Sequence, residues 1–221
     1  MKTSKARGFN TARDWYHECV LLHVLKSLEK RNFAASYFQT IDAMNKNLLK
    51  IIPRSATVGV GGSVTIRELG ILEKLEKRGN TVFHHWKKGL TETTDREMRI
   101  QEGQADYYLT SANAITLDGD IINIDGIGNR VAAMIYGPQN VIITVGYNKI
   151  VSSIDDGMRR SKDIAAVMNA KRIDAKTPCA TTGICVDCNA KHRICRVTTI
   201  IQYRPWQTNI SVMLVNKELG F

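Results

Sequence analysis

The sequence predicts an α/β protein built on a largely parallel sheet, and three observations predict it. From about residue 56 onward, strand-like and helix-like segments alternate, the order expected of a parallel sheet covered by helices. Val141-Ile142-Ile143-Thr144-Val145 is a near-continuous β-branched run, as found in strands buried on both faces. The stretch from Thr110 to Val151 reads as strand, turn, strand, polar loop, helix, strand. Within it, Asp118-Gly119 suits a tight hairpin turn, and Ile121, Ile122 and Ile124 form the apolar strand that follows. That strand ends in Asp125-Gly126-Ile127-Gly128-Asn129-Arg130, and the Val141 run ends in Gly146-Tyr147-Asn148-Lys149. Polar and charged residues therefore stand at strand ends, where ligands bind in open α/β sheets.

The remaining elements follow in chain order. Trp15, Cys19, Leu22, Leu25 and Leu28 recur at helical spacing, and so do Phe33, Tyr37, Ile41, Met44 and Leu48. These predict two helices whose apolar stripes are core, Cys19 included, with Asn32 as N-cap of the second. Pro53 stops the second helix. A strand from Ala56 to Val60, a glycine turn, a helix to about Arg78 and a short strand at Thr81-Val82-Phe83 come next. His84, His85 and Trp86 lie in a loop; His84, His85 and His192 are candidate metal ligands or substrate contacts, although a histidine pair in a loop is ordinarily surface. A helix from about Thr94 to Gly103 precedes a strand at Tyr107-Tyr108-Leu109. After Lys149 come a helix carrying Ile154, Met158 and Ile164, a cysteine-rich segment, and strands at Val197 to Tyr203 and Asn209 to Val215. No repeat or linker divides the chain, so one domain is expected: helices over 1–52, an α/β core over 53–170, a Cys-rich segment over 171–196 and final strands over 197–221.

Composition narrows the function classes. No run of about 18 apolar residues is present, which argues against a membrane-spanning helix. The basic N-terminus has no apolar stretch behind it, so a secretory signal is not expected and a cytoplasmic protein is. The formal charge of +10 suits an anionic partner. Its Lys and Arg are scattered, with only short pairs such as Lys87-Lys88, and they do not interleave with aromatics as in single-strand binders. Nucleic acid is thus the less expected partner and a small anionic metabolite the more expected one.

Val58-Gly59-Val60-Gly61-Gly62-Ser63-Val64-Thr65 fits a strand entering a helix through a glycine turn, an arrangement that turns backbone amides and hydroxyls towards an anion. It lacks the Gly-Lys-Ser/Thr of the nucleotide P-loop, and a tight turn alone also accounts for the glycines. Cys179, Cys185, Cys188 and Cys195 fall within seventeen residues. Four clustered thiols, two of them as Cys-x-x-Cys, suit zinc or an iron–sulfur cluster. A redox thiol pair and free cysteines are the alternatives.

Taken together, GVGGSVTIRELG, the stretch from Thr110 to Val151 and CVDCNAKHRIC resemble the lactate-utilisation (LUD) domain family, in particular its short members akin to the lactate-utilisation protein C group. The resemblance covers about residues 10 to 215. It implies a three-layer α/β/α sandwich like that of glucosamine-phosphate deaminase, ribose-phosphate isomerase and coenzyme A transferase, with an N-terminal helical addition. It also implies a role in oxidation of lactate or related 2-hydroxy acids beside iron–sulfur oxidoreductase subunits. By this resemblance Gly61, Gly62, Ser63 and Thr65 form one wall of a ligand pocket. Asn113, Asp125, Asn129 and Arg130 form a second wall, and Asn148 and Lys149 a third. Arg130 and Lys149 suit a carboxylate or phosphate. Asp125 is either a general base or a loop carboxylate that caps the next turn and pairs with Arg130, the second being the better-supported role. The family's partners favour a four-iron, four-sulfide (4Fe-4S) cluster over zinc at the four cysteines. A non-catalytic assembly subunit, and an isomerase or transferase of a phosphorylated or coenzyme A-linked metabolite, are the competing functions. A homo-oligomer is compatible with either.

Overall fold

The structure, a computed structural model, describes residues 4–87 and 89–221; Lys88 of the Lys87-Lys88 pair lies outside the described residues. Its strands are β1 (Ala34–Phe38), β2 (Val58–Val60), β3 (Val82–Phe83), β4 (Tyr107–Thr110), β5 (Ala114–Thr116), β6 (Ile121–Asp125), β7 (Asn140–Gly146), β8 (Ile150–Val151), β9 (Val197–Ile201) and β10 (Asn209–Val215). The helices are α1 (Ser4–Lys30), α2 (Ile41–Ile51), α3 (Val64–Glu68), α4 (Ile71–Lys77), α5 (Glu92–Gln104), α6 (Asn129–Ile135), α7 (Ile154–Arg159), α8 (Val167–Arg172) and α9 (Pro178–Thr182). A π-helical turn, Arg160–Ala166, joins α7 to α8.

Six strands form one parallel sheet in the order β1-β10-β7-β4-β2-β3. Alternation along its strands sends side chains into two cores. Val141, Ile143 and Val145 of β7, with Ile210, Val212 and Leu214 of β10, pack with Leu21, Val24 and Leu28 of α1. Ile142, Met213 and Val215 point the other way, against Met44, Leu48, Ile66, Ile71 and Leu75 of α2, α3 and α4. A period of two on a sheet covered on both sides requires apolar residues at every position. This explains the unbroken β-branched run, and the result is a three-layer α/β/α sandwich.

A second sheet, β8-β5-β6-β9, lies outside this central one. β5 and β6 make the hairpin expected at Asp118-Gly119: Ala114 pairs with Ile122 and Ile115 with Ile121, and Gly119 takes φ 90° in the turn. Two expectations are corrected here. β6 ends at Asp125 as anticipated, but in this smaller sheet, and its loop joins those after β2, β4 and β7 around one cavity.

In the first fifty residues a strand stands between the two expected helices, and the second helix begins at Ile41 rather than near Phe33. Ala34–Phe38 is an edge strand in parallel register with β10, so this segment supplies an edge of the sheet as well as two helices that pack on it. Phe33, Tyr37 and Ile41 matched a helical period only because a short strand and the next helix happen to supply apolar residues four apart. Asn32 is not an N-cap. It sits at φ 65° just after α1, where its amide bonds Glu29 and the Phe33 amide bonds Leu28, which ends that helix. The cap of α2 is Thr40, whose hydroxyl accepts from the Ala43 amide. The buried stripe of α1 is Leu21, Val24 and Leu28, whereas Trp15, Leu22 and Cys19 are exposed.

Gly61, at the end of β2, leaves no room for a side chain: a Cβ there would collide with the Tyr108 hydroxyl. Tyr108 is fully buried. Gly61→Ala is expected to destabilise the protein by about 1–3 kcal/mol, read as a lower urea midpoint at unchanged slope. Only part of that loss is expected to be recovered when Tyr108→Phe is added, because the ring carbon Cζ would still lie 2.8 Å from the new Cβ.

Candidate functional site: a cationic cavity over the strand ends

The loops after β2, β4 and β7, which run side by side in the parallel sheet, open into one cavity of about 380 Å³. This is the size of a small-metabolite site. Gly62 and Ser63 line it from the β2 loop, Thr65 from the first turn of α3, Ser111 and Asn113 from the β4 loop, and Lys149 from the turn after β7. Asp125, Asn129 and Arg130 enter from the β6–α6 loop. The far wall is the π turn and α8, through Ser161, Ala165, Ala166, Asn169 and Arg172.

Ten residues were expected at a ligand pocket, and two of them stand behind its surface. Gly61 packs on Tyr108. Asn148 ties down the chain beyond β10, accepting from the Leu219 amide at 3.1 Å.

Arg130 is a hub. Its Nε pairs with Asp125 at 3.4 Å. Nη1 donates to the Asn123 side chain at 2.7 Å and to the Ser111 carbonyl at 3.2 Å. Nη2 donates to the Asn113 side chain at 3.1 Å and to the Ile124 carbonyl at 2.7 Å. A guanidinium so engaged holds two loops together instead of presenting a fork to a ligand. Asp125 is committed as well: its Oδ1 accepts from the amides of Ile127 and Gly128, both at 3.0 Å. That is the turn-capping role, and this geometry gives a general base no support.

Lys149 is different in kind. It is 3 % exposed, and its Nζ donates to the hydroxyls of Thr65 at 2.9 Å and Ser111 at 3.1 Å. Among the described residues it forms no ion pair. Burial above all, then the positive charges of Arg160 and Arg130, pull its pKa down from the ordinary 10.5 to about 7.

At the rim, Arg172 directs Nε and Nη2 at Asn169 Oδ1, a neutral partner. Burial lowers its pKa, with Arg67 adding to the effect. The cavity thus contains Lys149 and Arg172 without carboxylate partners.

In the same wall one of the candidate histidines, His85, forms a dyad with Glu102, a residue the sequence did not single out. His85 Nδ1 lies 2.7 Å from Oε1 of Glu102, whose side chain is 1 % exposed. His85 lines the cavity, with its Nε2 edge towards Gly62. A buried carboxylate on one ring nitrogen fixes the other as a proton acceptor or donor. The only sequence signal was a histidine before a helix with one glutamate among its apolar-facing positions, and that is too common to single out.

The four clustered cysteines face one small cavity of about 20 Å³, shared with Lys162, Thr177 and Asp187. Arg193 braces the loop by donating to the carbonyls of Cys188 at 2.7 Å and Cys195 at 2.9 Å. Among the described residues, however, no three of Cys, His, Asp and Glu stand close enough to share a metal ion. His192 is exposed and lines neither cavity. Ala166 and Ile194 border both cavities, so the thiols and the cationic pocket are neighbours.

Fold and cavity define an α/β protein with a small, positively charged pocket over parallel strand ends. The chain belongs to the LUD domain family, whose model matches residues 21–215. It is also similar to a solved DUF162 family protein from Deinococcus radiodurans, at 14% identity over 90% of this chain and 98% of that one, with a TM-score of 0.49. No curated protein matches it. Among the described residues, no helix is long and apolar enough to cross a membrane.

The lowered value at Lys149 has a stability consequence. Between about pH 7 and 10.5 the unfolded chain keeps a proton that the folded chain has released, so stability rises with pH across that window. The burden of the buried ammonium is fully present below about pH 7 and fades towards 10.5. Lys149→Met is therefore expected to stabilise the protein at pH 6, by at most about 5 kcal/mol less the loss from two hydroxyls left without their donor. The gain should shrink by pH 10 in denaturant titrations. Arg130→Ala, by contrast, is expected to cost about 3–5 kcal/mol because Asp125 is left buried and unpaired.

Proposed function

We propose that this LUD-domain protein binds a small anionic metabolite, a carboxylate or phosphate ester, over the ends of β2, β4 and β7. We further propose that it serves the oxidation of lactate or a related 2-hydroxy acid in company with an electron-carrying iron–sulfur partner. The observation that carries the binding reading is the buried Lys149, which faces a cavity of metabolite size with no carboxylate to neutralise it. A buried cation left unpaired is unfavourable unless a ligand supplies the opposite charge. The family assignment supports the metabolic context.

The same reading gives Cys179, Cys185, Cys188 and Cys195 a soft-metal role. Four thiols facing one space are the right donor chemistry for an iron–sulfur cluster, which would supply one-electron transfer beside the pocket. A single zinc ion is the second reading, favoured by the space itself: about 20 Å³ is on the scale of one ion or water. Either group requires the loop to draw its thiols closer together. Arg193 and Lys162, both bound to Asp187, would hold that loop against the π turn.

Calorimetry with lactate, pyruvate and inorganic phosphate tests the binding reading. At least one is expected to bind, with affinity falling as pH rises through about 7, where Lys149 loses its charge, and with proton uptake on binding above that pH. Lys149→Met should weaken binding by about ten-fold or more, or about 1.4 kcal/mol. Binding that ignores both pH and Lys149→Met contradicts it.

Anaerobic purification followed by iron, sulfide and zinc analysis tests the thiol reading. Stoichiometric metal that is lost in Cys185→Ser and Cys188→Ser is expected, and metal-free protein contradicts it.

A further inference from the structure

We propose that Lys149 is a nucleophile that condenses with a carbonyl group of the bound anion, so that the pocket takes a small aldehyde or ketone carrying a carboxylate or phosphate. The inference rests on the anion-binding reading and adds to it the chemistry of the ligand. Its grounds are geometric. The Nζ is buried at the wall of a cavity large enough for such a molecule and is held by two hydroxyls alone, at 2.9 and 3.1 Å. A lysine buried for structural reasons is normally paired with a carboxylate; this one has none among the described residues.

Its charged surroundings are two guanidiniums, Arg130 and Arg160, whose donors are engaged by protein oxygens, and the Glu68 carboxylate, which raises the amine's pKa by less than the guanidiniums lower it and forms no ion pair with it, accepting instead from the Gly220 amide. Like charges and desolvation disfavour the ammonium and leave a free lone pair, which is how amine nucleophiles are activated. The value of about 7 agrees with this and means that charged and neutral amine coexist near neutrality. The neutral form attacks, while Arg172 at the rim supplies a cation for the anionic group.

The step balances without any redox partner. The Nζ lone pair forms a bond to the carbonyl carbon, and the carbonyl oxygen takes up a proton to give a carbinolamine. Loss of that oxygen as water, with the amine's hydrogens, leaves an imine on Lys149. Thr65 and Ser111, already hydrogen-bonded to Nζ, are placed to pass the protons.

The experiment is trapping of the full chain with borohydride, which reduces an imine to a stable secondary amine. Pyruvate serves as the carboxylate probe and dihydroxyacetone phosphate as the phosphate probe, followed by peptide mapping by mass spectrometry. With at least one probe, Lys149 is expected to be labelled about ten-fold or more above any other lysine although it is among the least exposed. Labelling should rise as pH passes through about 7 and be absent in Lys149→Arg. If calorimetry shows a probe bound while label is confined to surface lysines, the nucleophile is wrong and the anion site stands. If neither probe binds nor labels Lys149, both fall.

Discussion

A buried ammonium without a counter-charge is the constraint around which this molecule is arranged. Lys149 follows β7, a central strand of the parallel sheet that is buried at all but its first residue, and its side chain is almost wholly removed from solvent. Its Nζ reaches the first turn of α3, just beyond β2, and the β4 loop, through Thr65 and Ser111. Three adjacent strand ends thereby meet at one charged atom. Water is largely excluded there, so the charge retains a strength that it would lose at the surface. An incoming anion experiences that strength, and an amine proton is held less tightly for the same reason.

The cost of such a centre is borne by the scaffold around it. Arg130 fastens the β4 loop to the β6–α6 loop through five oxygen contacts, and Asp125 caps the turn that presents Arg130. Arg160 performs a similar task from the π turn, donating to the carbonyls of Asn148 and Asn113. A π turn is an uncommon irregularity that recurs at functional sites. Here it brings Ser161, Ala165 and Ala166 to the cavity while Lys162 turns to the cysteine loop. Ala166 belongs to both spaces, so a change in the packing of the thiol loop has a short path to the pocket wall.

Much of this was legible in the chain. The Val141 run announced a doubly covered strand, Asp118-Gly119 announced a hairpin, and the polar residues after β2, β6 and β7 converge where strand-end logic places them. What escaped has physical reasons. Ala34–Phe38 is a five-residue edge strand flanked by helices, and its apolar spacing fits either period. The assignment of β6 to a second sheet depends on long-range pairing with β9, which local pattern does not encode. Arg130 read as ligand-facing because sequence reveals residue type but not whether donors are already satisfied, whereas the turn-capping role of Asp125 was the better-supported of its two expected roles. His85 and Glu102 are seventeen residues apart and meet only because α5 packs across β2, where a side chain at Gly59 would strike the Glu102 backbone.

The pocket's chemistry turns on the protonation of one amine, which can be observed without substrate or partner. With lysine side chains isotopically labelled and the Lys149 signal assigned by its loss in Lys149→Arg, an NMR pH titration follows the carbon next to Nζ. A midpoint near 7 is the predicted result. A midpoint close to the ordinary lysine value of 10.5 would mean that solvent or an acidic partner reaches the amine, and the pocket as described would not exist.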